Sequence, residues 1–313
     1  YGSEERMNSS RVFSIGETPS GTMFFGKRDF YISYLEGNKF HDVHPAVSPT
    51  AGVLWTTRTT FRSRDGDWWL LTDEGVYRFA GVSDIKELQG REPTKKYTQN
   101  DGLSGIAGFQ IYEDKKGVIW LSARGTGPDR HGLSRWSKDK DRFEAFTEAD
   151  GFPKGKSVSS FAEDAIGELW ITFYDGGIAR YRDGRFQVLG DGSGIPSSDI
   201  LLDLHLDKNG QLWVASAGSG LFTIDDPTAE RPVLKPYEKF GRPVSRNIRT
   251  ITEDRFGRIY LGTARGVDRL SPDTGSVKHF SVSDGLASDF VVDSFRASND
   301  DLWFATPNGV SRL

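Results

Sequence analysis

Residues 163–181 read EDAIGELWITFYDGGIARY. Asp164-Ala165-Ile166-Gly167 has the composition of a tight turn, because Asp favours its first position and Gly accepts the left-handed conformation that closes it. An apolar strand through Leu169-Trp170-Ile171 follows, then the pair Gly176-Gly177, then Ile178-Ala179-Arg180-Tyr181. Taken alone the stretch is a β-hairpin, and Trp170 is either a stacking platform for a ligand or a packing residue. Its recurrence along the chain decides between them.

The offset from Gly167 to Trp170 recurs at Gly21/Phe24, Gly66/Trp69, Gly117/Trp120, Gly210/Trp213 and Gly257/Tyr260, and a seventh copy has Asp300 before Trp303. The seven aromatics lie 45, 51, 50, 43, 47 and 43 residues apart, a period that marks a repeat architecture. Each copy opens with an apolar strand: Val12–Ile15, Val53–Phe61, Phe109–Tyr112, Val158–Phe161, Ile200–Leu206, Ile248–Ile251 and Val291–Phe295. The turn and the aromatic strand come next. A glycine-bearing turn then leads to a third strand, as in Gly75-Val76-Tyr77-Arg78, and a fourth short strand such as Phe186–Leu189 brings the chain back. The exit is often Asp-Gly-Leu or a relative, as at 101–103, 150–152 and 284–286. Phe61 and Phe295 stand one residue nearer their tryptophans than Phe161 does, which predicts shorter turns in those two repeats.

Four short antiparallel strands repeated radially describe propeller blades, whose two apolar faces are buried only by stacking on neighbours. The chain therefore reads as a single all-β domain over 1–313, a seven-bladed β-propeller of four-stranded antiparallel blades. The last blade reaches Leu313 without an outer strand, as expected of a piece of a longer protein. Phe24, Trp69, Trp120, Trp170, Trp213, Tyr260 and Trp303 become structural wedges between blades. Composition agrees: 12% aromatic residues and 36 glycines suit many short strands. A net charge of −4 with scattered Lys and Arg argues against nucleic acid as a partner. No apolar run is long enough for membrane insertion of this segment, and the lack of cysteine removes disulfides, thiolate metal sites and cysteine catalysis. Gly151–Ser157 is one residue short of a phosphate-binding P-loop and leads into a strand rather than a helix. Asn8-Ser9-Ser10 is a formal glycosylation acceptor that matters only in a eukaryotic secretory setting. The dispersed histidines show no paired metal spacing, so no cofactor is expected.

The composite signature is E-D-x-x-G-x-L-W-x-x-T, then G-[LV]-x-R, then a strand ending in Asp-Gly-Leu. Glu253–Thr263 with Gly266–Arg269, and Glu163–Trp170 with Gly177–Arg180, carry it most fully. Over nearly the whole chain this resembles the two-component-regulator propeller repeat. The resemblance implies a seven-bladed propeller in the periplasmic sensing part of a bacterial hybrid two-component system, a family in which several members respond to oligosaccharides. It also implies partner domains in the same longer chain: a second propeller, an immunoglobulin-like domain and a kinase beyond a membrane span. Three departures stand out. Blade one, Ser20–Phe40, is degenerate, with Phe24 for Trp. Blade two has an arginine-rich inner strand, and blade three has a longer loop. The Gly-His and Trp-Asp marks of WD40 repeats are absent.

Ligands of propellers usually meet the face built by the loops between strands two and three and by the connections to the next blade. Here those loops vary on a constant frame, which is where function tends to sit. The insertion Arg124–His131 concentrates Arg124, Asp129, Arg130 and His131 beside Tyr174 and Asp175 of the next blade, a set able to hold a carboxylate or sulfate and stack a sugar face; a solvated loop with an internal Arg–Asp pair is the alternative. Arg265 lies in the corresponding loop of blade six. Arg58, on the inner strand of blade two, is expected either to face the central channel and draw an anion or to bond neighbouring carbonyls. His205, within an apolar inner strand, reads as structural. The leading expectation is a non-catalytic ligand-sensing or interaction propeller, periplasmic or extracellular, for a small polar ligand or glycan. The alternatives are a propeller lyase using His131 with Asp129 or Asp175 and a divalent metal, and a pure protein-interaction scaffold.

Overall fold

The computed structural model describes residues 11–48, 51, 58, 60–124, 131–189, 199–238 and 243–313. The fold is all-β, a seven-bladed β-propeller whose blades occupy 12–43, 60–97, 108–145, 158–188, 201–236, 248–280 and 293–312. Blades one to six are four-stranded antiparallel sheets with strands in chain order, and blade seven has three strands. Among the described residues the helical segments are short 3-10 turns, such as Gln99–Asp101, Glu148–Asp150 and Val282–Asp284. Contacts divide the chain into two compact units, 1–146 with 305–310 and 147–304 with 311–313.

All seven repeat aromatics are buried, none more than 5% exposed. In the first unit Phe24 packs with Trp68, Leu70 and Phe79 of blade two, and Trp69 with Ile111, Leu121 and Phe143 of blade three. In the second, Trp170 packs with Leu201, Val214 and Phe222 of blade five, Trp213 with Ile248 and Leu261 of blade six, and Tyr260 with Leu302 and Phe304 of blade seven. These five aromatics are wedges between blades, as their recurrence predicts.

The turn aspartate does more than shape the turn. Asp164 Oδ1 accepts the backbone N–H of Ile166 and Glu168 (3.1 and 2.9 Å), and its Oδ2 accepts the Trp170 indole N–H (3.1 Å). Asp114 with Trp120 and Asp207 with Trp213 repeat the bond at 2.9 and 2.8 Å, and Asp254 receives the Tyr260 hydroxyl at 3.2 Å. The motif arginine completes the set by lying over the aromatic of the paired strand: Arg78 over Trp69, Arg180 over Trp170 and Arg312 over Trp303, at 5.7, 5.6 and 5.7 Å from the ring centroids. In blade two Ser63 stands where the aspartate would, and the Trp69 indole N–H is buried with no acceptor.

Blade one departs from the repeat signature in sequence yet forms a complete sheet of Val12–Glu17, Met23–Lys27, Ile32–Glu36 and Lys39–Val43, and Phe24 meets the Trp68 ring at 4.8 Å. One expectation is corrected: the turns of blades two and seven are not shorter. Ser63 N–H donates to Asp67 O and Gly66 N–H to Ser63 O (both 2.9 Å), matching Asp164 with Glu168 and Gly167 with Asp164 (3.0 and 3.1 Å). Ala297 with Asp301 and Asp300 with Ala297 repeat it at 2.9 Å each. The early phenylalanine sits on the neighbouring strand position, facing the other side of the sheet. Asp300 takes φ +72° in the place of the turn glycine.

The Asp-Gly-Leu exits are capped 3-10 turns. Asp101, Asp150 and Asp284 accept the N–H of Thr98, Thr147 and Ser281 three residues earlier, at 3.0, 2.8 and 3.0 Å. The following glycine is left-handed, at φ 91°, 79° and 100°, and the next side chain (Leu103, Phe152 or Leu286) is buried.

Candidate functional site

The frame of the loop face is built from the same residue types in several blades. Thr72 Oγ1 donates to Gly75 O, Thr263 to Gly266 O and Thr306 to Gly309 O, at 2.8, 2.9 and 2.9 Å. Each threonine oxygen also accepts the N–H two residues on, from Glu74, Arg265 and Asn308 (3.2, 3.0 and 3.2 Å). Both hydrogen-bonding roles of the hydroxyl are thus spent on the hairpin, and the two tip residues are left to vary. Arg265 is such a tip residue, with an exposed side chain.

Blade four has a longer tip. Tyr174 N–H donates to Ser157 O (2.9 Å), and Asp175 Oδ2 accepts the Ser157 N–H (3.1 Å). Lys156 Nζ donates to the carbonyls of Asp175 and Gly176. Asp175 therefore ties its loop to the incoming connection, and Tyr174, half-buried, is the side chain the loop presents. In blade five Asp199 accepts from Ser216 Oγ (2.5 Å), which itself accepts the N–H of Gly218 and Ser219 (3.0 and 2.7 Å).

In the first unit Arg124 is half-buried. Its N–H donates to Ala107 O (2.9 Å), and its guanidinium lies 5.5 Å from the Phe109 ring centroid. His131 is half-buried immediately before the third strand of blade three. Asp129 and Arg130 lie outside the described residues. The arginines of blade two take separate roles. Arg62 lies over Trp68 at 5.8 Å. Arg64 pairs with Glu113 (3.2 Å) and donates to the carbonyls of Asp114 and Lys115 in the next blade. Arg58, half-buried, precedes the strand Thr60–Arg62. His205 meets Glu253 of the next blade at 3.4 Å, so it serves the frame. Among the described residues no group of three or more metal-ligating side chains converges.

One residue escaped the sequence reading. The first strand carries a β-bulge near its start in blades one, three, four, five and six. Counted back five residues from the turn position, the bulged residues of these five blades are Phe13, Phe109, Ser159, Leu202 and Arg249, and the equivalent sequence positions in blades two and seven are Arg58 and Val292. Bulges re-aim side chains, and two of the seven positions hold arginine. Arg249 lies 4.7 Å from the Phe290 ring centroid. Burial pushes its guanidinium below the ordinary range, opposed by the Tyr174 phenol. Aligning the repeats on the turn residue, rather than on the aromatic alone, would have put Arg249 beside Arg58.

A cavity of ≈ 270 Å³ lies at the opposite, turn end of blades six and seven, lined by residues including Asp254, Arg258, Tyr260, Asp300 and Leu313. None of the expected ligand-contacting residues lines it.

No known family model matches the chain, and no curated protein sequence matches it. Solved structures do match in fold. The extracellular domain of a putative one-component system from B. thetaiotaomicron is 16% identical, with a TM-score of 0.77 over 98% of this chain and 38% of that one. The extracellular domain of a putative hybrid two-component system from the same organism is 18% identical, with a TM-score of 0.74 over 99% and 39%. Catalytically inactive virginiamycin B lyase from Staphylococcus aureus, solved with quinupristin, is 17% identical, with a TM-score of 0.73 over 98% and 96%. The chain thus spans less than two fifths of the sensor structures it resembles. At these identities the likeness is one of fold: the chain carries the seven-bladed propeller found in the extracellular domains of one- and two-component sensors.

Proposed function

We propose that this chain is the sensing propeller of an extracytoplasmic receptor, binding a small polar ligand on its loop face without chemistry of its own. The observation that carries the reading is the match to sensor extracellular domains in which a propeller of this size fills 38% and 39% of the chain. A module of that kind belongs beside further domains of the same protein. The division of labour within the blades supports it. Where the motif's Asp and aromatic are both present, as in blades three to six, they are bonded to each other within the frame, and among the variable tips Tyr174 and Arg265 offer a ring and a cation, the groups that hold ring-faced or acidic ligands. An oligosaccharide is the ligand class favoured.

The fold match to a lyase, over 96% of that enzyme, supports a second reading with His131 as general base. One set of measurements separates the two. Calorimetric titration with neutral, uronate-bearing and sulfated oligosaccharides, alongside assay of the recovered ligand for cleavage, is expected to show binding without turnover. Binding should weaken in Tyr174→Ala. Cleavage that disappears in His131→Ala would establish the lyase instead, and no binding by any oligosaccharide would favour a protein-contact role.

A further inference from the structure

The face end of blade six combines features that the frame does not explain. Arg249 Nε is buried, and no protein group accepts from it; Asn247 Oδ1, two residues earlier and just before the strand Ile248–Glu253, is buried with no donor. No described carboxylate pairs with Arg249. Its guanidinium rests on Phe290, whose ring is 39% exposed, and lies near enough to Tyr174 for the phenol to act on it electrostatically. Arg180 and Arg269 also bury an Nε that no group accepts from, but Arg180 donates through its other nitrogens to the carbonyls of Ala229 and Glu230, and Arg78 pairs with Asp67; what sets Arg249 apart is the exposed Phe290 ring beneath its guanidinium. A largely buried, uncompensated cation costs stability and persists where a ligand supplies the missing charge.

We propose that Arg249, Asn247, Tyr174 and Phe290 form a binding site for an oxyanion, a carboxylate or a sulfate, carried on a sugar ring. The bulge at Arg249 turns the guanidinium toward the loop face, where its fork can hold two oxygens of one oxyanion. Asn247 supplies an acceptor for a neighbouring hydroxyl, and the Phe290 ring supplies a surface for the apolar face of the sugar. The inference deepens the sensing role proposed above and rests on it for the sugar.

The test titrates the protein with a galacturonate disaccharide, a sulfated disaccharide, a neutral disaccharide and inorganic sulfate. Binding of at least one acidic disaccharide, weakened by added salt, is expected, with tenfold or greater loss in Arg249→Gln and a smaller loss in Arg249→Lys. Which acidic arm binds identifies the oxyanion. Arg249→Gln should also melt at a higher temperature than the parent, because the uncompensated charge is gone. Arg255→Gln, which removes an exposed cation at the turn end of the same blade, controls for the loss of charge alone and should keep the parental affinity. A lower melting temperature in a folded Arg249→Gln would show that the arginine serves the frame and would overturn the proposal. So would acidic binding that this substitution leaves unchanged, or the absence of any acidic binding. Neutral-disaccharide binding unaffected by Arg249→Gln would remove this site while leaving the sensing role in place.

Discussion

Asp164 and Trp170 show how far a single residue could be read from the sequence. Trp170 was legible as a wedge because six equivalents share its place. Asp164 was legible only as a turn former, because its bond to an indole six residues on becomes visible once the turn folds the strand back over it. Asp164 is fully buried and accepts three hydrogen bonds. Asp164→Ala should therefore destabilise the protein by about 2–4 kcal/mol in equilibrium denaturation, through lost charged hydrogen bonds and an indole N–H left unsatisfied. Asp164→Asn, which keeps acceptors, should cost less. Trp170→Ala should cost about 3–5 kcal/mol, with ligand affinity falling only as far as folding does. A Trp170→Ala protein of parental stability that no longer bound ligand would reverse the assignment of that residue.

At the level of elements, strand order and exits were readable because turn residues announce themselves. The Asp-Gly-Leu exit appears in the structure as a capped turn, and at Gly102 and Gly151 the glycine has no room for a side chain. At Gly151 an added Cβ would lie 2.3 Å from Phe186 O, at φ +79°. Gly151→Ala is expected to cost at least about 1–3 kcal/mol, measurable as a lowered denaturation midpoint, whereas a substitution at Gly155, a loop glycine with open space where a Cβ would go, should at most strain the backbone. Turn length was misread in blades two and seven because a phenylalanine was assumed to mark a fixed strand position, and a shift of one residue merely moves it to the other face. The bulge was invisible because it lies near the start of a short strand, where the one or two residues before it are too few to show the change of phase. Arg249 went unnoticed with it, since a lone arginine in Ile248-Arg249-Thr250 lacks the local abundance that drew attention to Arg58.

For the molecule as a whole, the repeat count was fully legible from seven spaced aromatics, whereas ligand chemistry was not, because side chains from distant repeats converge only after folding. Its alkaline stability depends on Tyr97. Burial, together with donation to Asp141 (2.5 Å), pushes the Tyr97 hydroxyl up to about 12, against the influence of Arg78. The folded state thus keeps a proton that the unfolded chain releases near pH 10. The associated stability is intact below pH 10 and is lost as pH rises toward 12, to an extent on the order of 2–3 kcal/mol. Urea denaturation across that range should show the decline, and Tyr97→Phe, though weaker at neutral pH, should show a shallower one.

The threonine–glycine hairpins of blades two, six and seven have a practical corollary. Because Thr263 and Thr306 bond only to backbone within their own hairpins, the tips Ala264-Arg265 and Pro307-Asn308 can be exchanged two residues at a time while the supporting hairpin keeps its geometry. The tip of blade two is tied to its blade, since Glu74 accepts from the Tyr77 hydroxyl and pairs with Lys96.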